Sequence, residues 1–136
     1  MGQPVAPRRK VLIVEDEPSI RNVLYVLLAA MGCDGDVATS GRQAISMIRR
    51  ESFDAILLDL RCMNLAPKEV VAQVLEVRPR LMDRVLVITG EVSDADVLNW
   101  VEASCLPNVP RDQLVKDIAA RIQTLLGLAA APKPVV

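Results

Sequence analysis

The sequence predicts an α/β fold, a parallel sheet covered by helices on both faces. Three uninterrupted apolar runs, residues 11–14, 55–58 and 85–88, lack the polar alternation of a half-exposed strand, so each is covered on both sides. Segments of helical periodicity separate them, giving a strand–helix alternation along 136 residues, the length of one domain.

The elements follow in order. After the strand at 11–14, Ile20, Val23, Leu24, Leu27, Leu28 and Met31 mark one face of a helix. Pro18 suits its first turn, and Gly32 the left-handed position just past its end. A weaker strand lies near 36–38. Ser40 and Gln43 then have capping-box spacing before a second helix carrying Ala44, Ile45 and Ile48. The strand at 55–58 leads to a third helix through Val70, Val71, Val74 and Leu75, which ends before Pro79. The strand at 85–88 precedes a fourth helix, capped by Ser93 and running through Val97, Leu98 and Val101. A weak fifth strand is expected near 103–106. The fifth helix carries Leu114, Val115, Ile118, Ile122 and Leu125 and closes at Gly127. Short, less apolar strands suit sheet edges, and right-handed crossovers leave few topologies. The order 2-1-3-4-5 of flavodoxin-like sheets fits, with five helices on the two faces. Residues 10–127 form the domain; 1–9 and 128–136, rich in Pro, Ala or Arg, are expected to be tails.

Composition narrows the function. Hydrophobic residues make up 51% and charged residues 24%, so a packed core is expected. Aromatics reach only 2%, which leaves little material for stacking on nucleic-acid bases. A net charge of −1 argues against a DNA-binding domain. The absence of histidine excludes imidazole bases and His-ligated zinc from this chain. Cys33, Cys62 and Cys105 match no metal-ligand spacing and are expected to be small buried hydrophobes in a reducing cytoplasm. No apolar run approaches the ~20 residues of a bilayer crossing, and no secretion signal is recognised.

Each central strand ends in polar residues: Glu15 and Asp16, Asp59, and Thr89. Neighbouring strands lie ~4.8 Å apart, so these side chains can converge on the crevice where such sheets bind ligands. Three carboxylates that close repel one another, and a divalent cation resolves the conflict; magnesium suits such an all-oxygen site. Asp59 could then attack a phosphoryl group to give an acyl phosphate, with the Thr89 hydroxyl bonding a phosphoryl oxygen. Taken singly these residues have plainer readings: acids at 15–17 favour a helix N-terminus, and an Asp ending a strand is a common turn residue.

Residues 11–17 (Val-Leu-Ile-Val-Glu-Asp-Glu), 53–61 (Phe-Asp-Ala-Ile-Leu-Leu-Asp-Leu-Arg) and 85–90 (Val-Leu-Val-Ile-Thr-Gly) together resemble the receiver domain of bacterial two-component response regulators. The resemblance spans about residues 9–127. It implies a magnesium-dependent phosphoacceptor, with Asp59 taking phosphate from a sensor histidine kinase or phosphotransfer protein. Glu15, Asp16, Asp59 and the carbonyl of Arg61 would hold Mg2+, and Thr89 would be the switch hydroxyl. It further implies a signalling phosphoprotein that acts by binding a downstream protein; the composition adds the expectation of a cytoplasmic chain with neither nucleic acid nor membrane as partner. Any catalysis would be limited to its own phosphotransfer and dephosphorylation.

The chain departs from the family pattern in three places. The Lys-Pro pair expected at the end of strand five is absent; motif matching puts Asn108 at the lysine position, whereas counting from Thr89 offers Arg111. Cys62-Met-Asn64 replaces the usual Pro/Gly-stiffened turn, and Cys105 falls where an aromatic residue is usual. Losing one preorganised donor to a developing oxyanion costs about 10²–10³ in rate. A degenerate receiver that binds a partner without phosphorylation is therefore the competing reading. A flavin or nucleotide carrier is disfavoured, since no Gly-rich phosphate loop follows the first strand.

Overall fold

A computed structural model describes residues 8–62, 67–89 and 95–127. Five parallel strands form one sheet in the order β2-β1-β3-β4-β5, the predicted topology. They are β1 (Arg9–Val14), β2 (Cys33–Ala38), β3 (Ala55–Asp59), β4 (Val85–Thr89) and β5 (Asn108–Pro110). Helices α1 (Pro18–Ala30), α2 (Gly41–Arg50), α3 (Pro67–Val77), α4 (Ala95–Ser104) and α5 (Leu114–Leu125) alternate with them.

The continuous apolar runs have the cause expected of them. Val11 to Val14 and Ala55 to Leu58 are buried in full, their alternate side chains entering two separate cores. Leu12, Val14, Ile56 and Leu58 pack on one face with Ile45, Ile48, Val70 and Val74 of α2 and α3. Val11, Ile13, Leu57 and Ile88 pack on the other with Leu24 and Leu28 of α1 and Ile118 and Ile122 of α5. Each fully buried aliphatic side chain contributes about 1.5–3 kcal/mol. Phe53 is the only buried aromatic in either core, with Trp100 partly buried against one of them, so these aliphatics supply most of the burial.

The caps follow sequence chemistry. Pro18 opens α1, and Gly32 and Gly127 take the left-handed conformation, φ 77° and 67°, after α1 and α5. Ser40 accepts the Gln43 amide at 3.1 Å, while the Gln43 carboxamide reaches back one residue further than a standard capping box, to the Thr39 amide at 2.7 Å. The Ser93 cap lies outside the described residues.

The fifth strand departs from expectation. Residues 103–106 were expected to be extended, but α4 runs on to Ser104, whose hydroxyl donates to the Val101 carbonyl at 2.8 Å. Cys105 then takes φ 57°, ending the helix in the left-handed region. The strand begins at Asn108, pairing Val87 with Asn108 and Thr89 with Pro110. Three residues that follow Pro107 and end in Pro110 carry too little apolar pattern to be recognised. Cys33 is buried and free as expected; Cys105 is free but exposed, because the helix end turns it outward.

Candidate functional site

The register brings the acidic residues to one rim. Val14 pairs with Leu58, so Glu15, the first residue past β1, lies beside Asp59, the last of β3. Both are buried, Glu15 at 0% and Asp59 at 1% exposure, the only buried acidic side chains among the described residues. Pro110 pairs with Thr89, so the next residue, Arg111, stands at the same rim.

Arg111 is the centre of the arrangement. Its side chain is 10% exposed, and its two terminal nitrogens diverge, Nη1 donating to Asp59 Oδ2 and Nη2 to Glu17 Oε2. Glu15 Oε2 lies 3.8 Å from Nη1. Burial works against the guanidinium charge, but Asp59 and Glu15 outweigh it and raise the Arg111 pKa above its ordinary value. The planar fork lets one cation serve two carboxylates, which a lysine ammonium does with less geometric definition.

Backbone amides hold the remaining oxygens. The Arg61 amide donates to Asp59 Oδ1 at 2.9 Å from the turn at Leu60–Cys62, and the Glu17 amide donates to Glu15 Oε1 at 3.0 Å. The Arg61 guanidinium is 3.9 Å from Glu17. Glu15 Oε2 is buried without a hydrogen-bond partner. Desolvation, helped by a hydrogen bond and charge repulsion with Asp59, pushes the Glu15 pKa up to about 8, against the Glu17 amide and Arg111. One guanidinium thus pairs with Asp59 and Glu17, while burial beside Asp59 shifts metal-free Glu15 toward its protonated form.

The remaining predicted residues divide. Asp16 is exposed directly beside the pocket. Thr89 is half-buried at the end of β4, its hydroxyl donating to the Val109 carbonyl at 3.5 Å rather than to a carboxylate. Asn108 pairs with Val87, two residues short of the rim, and is exposed with its amide turned to the Leu106 carbonyl at 3.2 Å. The motif match to Asn108 is therefore corrected to Arg111, because β5 starts later than the sequence suggested. The aromatic position three residues upstream moves with it, from Cys105 to Asn108. Glu17, read from sequence only as a helix-start acid, is the other carboxylate of the clamp.

A family model described as the response regulator receiver domain matches residues 11–123. The chain belongs to this family. The sensory transduction protein RegX3 of Mycobacterium tuberculosis is 31% identical over 116 residues, 85% of this chain and 50% of that protein. The chain spans about half the length of the curated relatives it matches. Among solved structures, a CheY-like receiver domain protein from Methanospirillum hungatei superposes with TM-score 0.78 at 17% identity, covering 89% of this chain and 95% of that one. The receiver domain of the sensor histidine kinase PA1611 from Pseudomonas aeruginosa gives TM-score 0.74 at 21% identity, covering 89% and 99%; it carries a magnesium ion in its active site cleft. At these identities the structural likeness establishes the fold. As a receiver domain, the chain is a two-component signalling module.

Proposed function

We propose that Asp59 accepts a phosphoryl group from a sensor histidine kinase or phosphotransfer protein and that the chain signals by binding a downstream protein. The observation that carries this reading is a buried carboxylate at the sheet rim whose two oxygens are held separately, one by a backbone amide and one by the Arg111 guanidinium. In the transfer, an Asp59 oxygen forms a bond to phosphorus as the bond from phosphorus to the donor nitrogen breaks, and the departing imidazole keeps that electron pair. The Arg61 amide fixes the orientation of the carboxylate. The Arg111 guanidinium lies where it can exchange Asp59 Oδ2 for a phosphoryl oxygen, a bidentate match of charge and shape. Thr89, one residue past the Asp59 partner Ile88, supplies a hydroxyl from the adjacent strand.

The donor set fits magnesium in kind. Glu15 and Asp59 present buried carboxylate oxygens, Glu15 Oε2 is without a hydrogen bond, and Asp16 is adjacent. Glu15, Asp16, Asp59 and the Arg61 carbonyl would hold the ion. No three Asp, Glu, Cys or His side chains are already gathered for a metal among the described residues, and Arg111 shares the Asp59 carboxylate. Bound magnesium supplies charge neutralisation for the incoming phosphoryl oxygens.

Nothing in this geometry favours the phosphorylation-independent reading, since acceptor, acids and a cation are all at the rim. No described helix is long and apolar enough to cross a membrane, and the cytoplasm is the compartment that suits this function. Incubation with Mg2+ and acetyl phosphate, followed by reductive trapping and peptide mapping, should place one label on the peptide containing Asp59. A label confined to another acidic residue would overturn the assignment.

A further inference from the structure

A cleft of ≈ 550 Å³ lies between α2 and α3, away from the Asp59 rim, lined by Arg42, Ile45, Ser46, Arg49, Arg50 and Gln73. Its volume falls in the range of small-molecule sites. No carboxylate of the described residues lines it. Helix α2 carries three arginines and no acidic residue, in a chain whose net charge is −1. Arg42, Ser46 and Arg49 follow i, i+4, i+7 spacing and so share one face, while the buried Ile45 supplies the floor.

Ordinary helix electrostatics explains only part of this. Arg49 and Arg50 sit in the last turn, where the helix dipole favours cations. Arg42 sits in the first turn, where the dipole opposes one, and no intrahelical carboxylate compensates it. Among the described residues none of the three arginines forms an ion pair. The neighbouring Glu51 carboxylate bonds Lys10 at 2.6 Å and acts on Arg50 only through its charge, and Glu69 and Glu76 of α3 line no part of the cleft. Three arginines thus line one cavity, and among the described residues none of them is held in an ion pair.

We infer that the α2–α3 cleft binds a small solute carrying two or more adjacent phosphate groups. Guanidinium forks match phosphate oxygens bidentately, and the Ser46 hydroxyl and Gln73 carboxamide add neutral donors. No aromatic side chain lines the cleft, so a nucleobase has nothing to stack on and the phosphates carry the recognition. The inference does not depend on phosphorylation of Asp59.

The test is calorimetric titration of the full chain with pyrophosphate at low salt, in EDTA so that metal-assisted phosphate binding at the Asp59 rim does not contribute. One saturable site is expected, weakening as salt rises, with amide chemical shifts moving in α2 and α3. The Arg42→Gln/Arg49→Gln double variant, altered at two exposed unpaired positions, should bind at least about tenfold more weakly while keeping its melting temperature. Absence of saturable binding below about 5 mM pyrophosphate, or equal affinity in the double variant, overturns the inference. So does a single-stranded oligonucleotide that binds more tightly per phosphate than pyrophosphate, which would make the groove a nucleic-acid surface.

Discussion

Replacing Arg111 with Ala removes the cation that two carboxylates share. Asp59 is 1% exposed, so it does not regain water when the guanidinium leaves. Taking one partner from a buried ion pair costs about 3–5 kcal/mol. The Glu17 side chain is 42% exposed, and its share is under about 1 kcal/mol because solvent screens it. Local relaxation offsets part of the penalty, which brings the expected loss to about 2–4 kcal/mol at pH 7. For a domain of this size that lowers Tm by roughly 10 °C. Calorimetry or urea unfolding in EDTA at pH 7 measures it. An Arg111→Ala Tm within about 2 °C of wild type would refute the idea that this guanidinium neutralises the buried Asp59 carboxylate.

Further outcomes follow from the same geometry. Glu15 has a folded pKa near 8 against an ordinary value of 4.5, so the folded chain holds the proton longer than the unfolded one. Its contribution therefore makes metal-free stability fall as pH rises between about 4.5 and 8, by roughly a few kcal/mol, and Glu15→Gln should flatten urea midpoints across that window. Thr89→Ala loses only a long hydrogen bond to Val109, so Tm should change by little while acceptance from acetyl phosphate slows, measured by time-resolved mass spectrometry. Asn108→Lys, two residues short of the rim and exposed, should leave the phosphorylation rate unchanged, whereas Arg111→Gln should lower it by about 10²–10³. Equal effects of these two substitutions would return the cation's place to position 108.

The central architecture was legible because burial on both sheet faces leaves an unmistakable mark. Runs such as 11–14 and 55–58 have no polar alternation, and the residues that end them are the ones the sheet delivers to its rim. Glu15 and Asp59 were readable for the same reason. The edge was not. β5 is three residues long, bounded by prolines and with only Val109 buried, so its pattern is weaker than the helical periodicity of α4 that overran the expected strand. That shift hid Arg111, although counting from Thr89 pointed to it. Glu17 was obscured differently: an acid before a helix already has a sufficient explanation in the dipole, and only the position of Arg111 shows that its carboxylate faces inward to a partner.

Intact-mass spectrometry of the wild type and Asp59→Asn, each incubated with Mg2+ and acetyl phosphate, addresses the account most directly. It predicts one acid-stable, base-labile phosphoryl adduct on the wild type and none on Asp59→Asn. A wild type that stays unmodified while its Mg2+-binding is demonstrable, or an Asp59→Asn chain modified to the same extent, would contradict it.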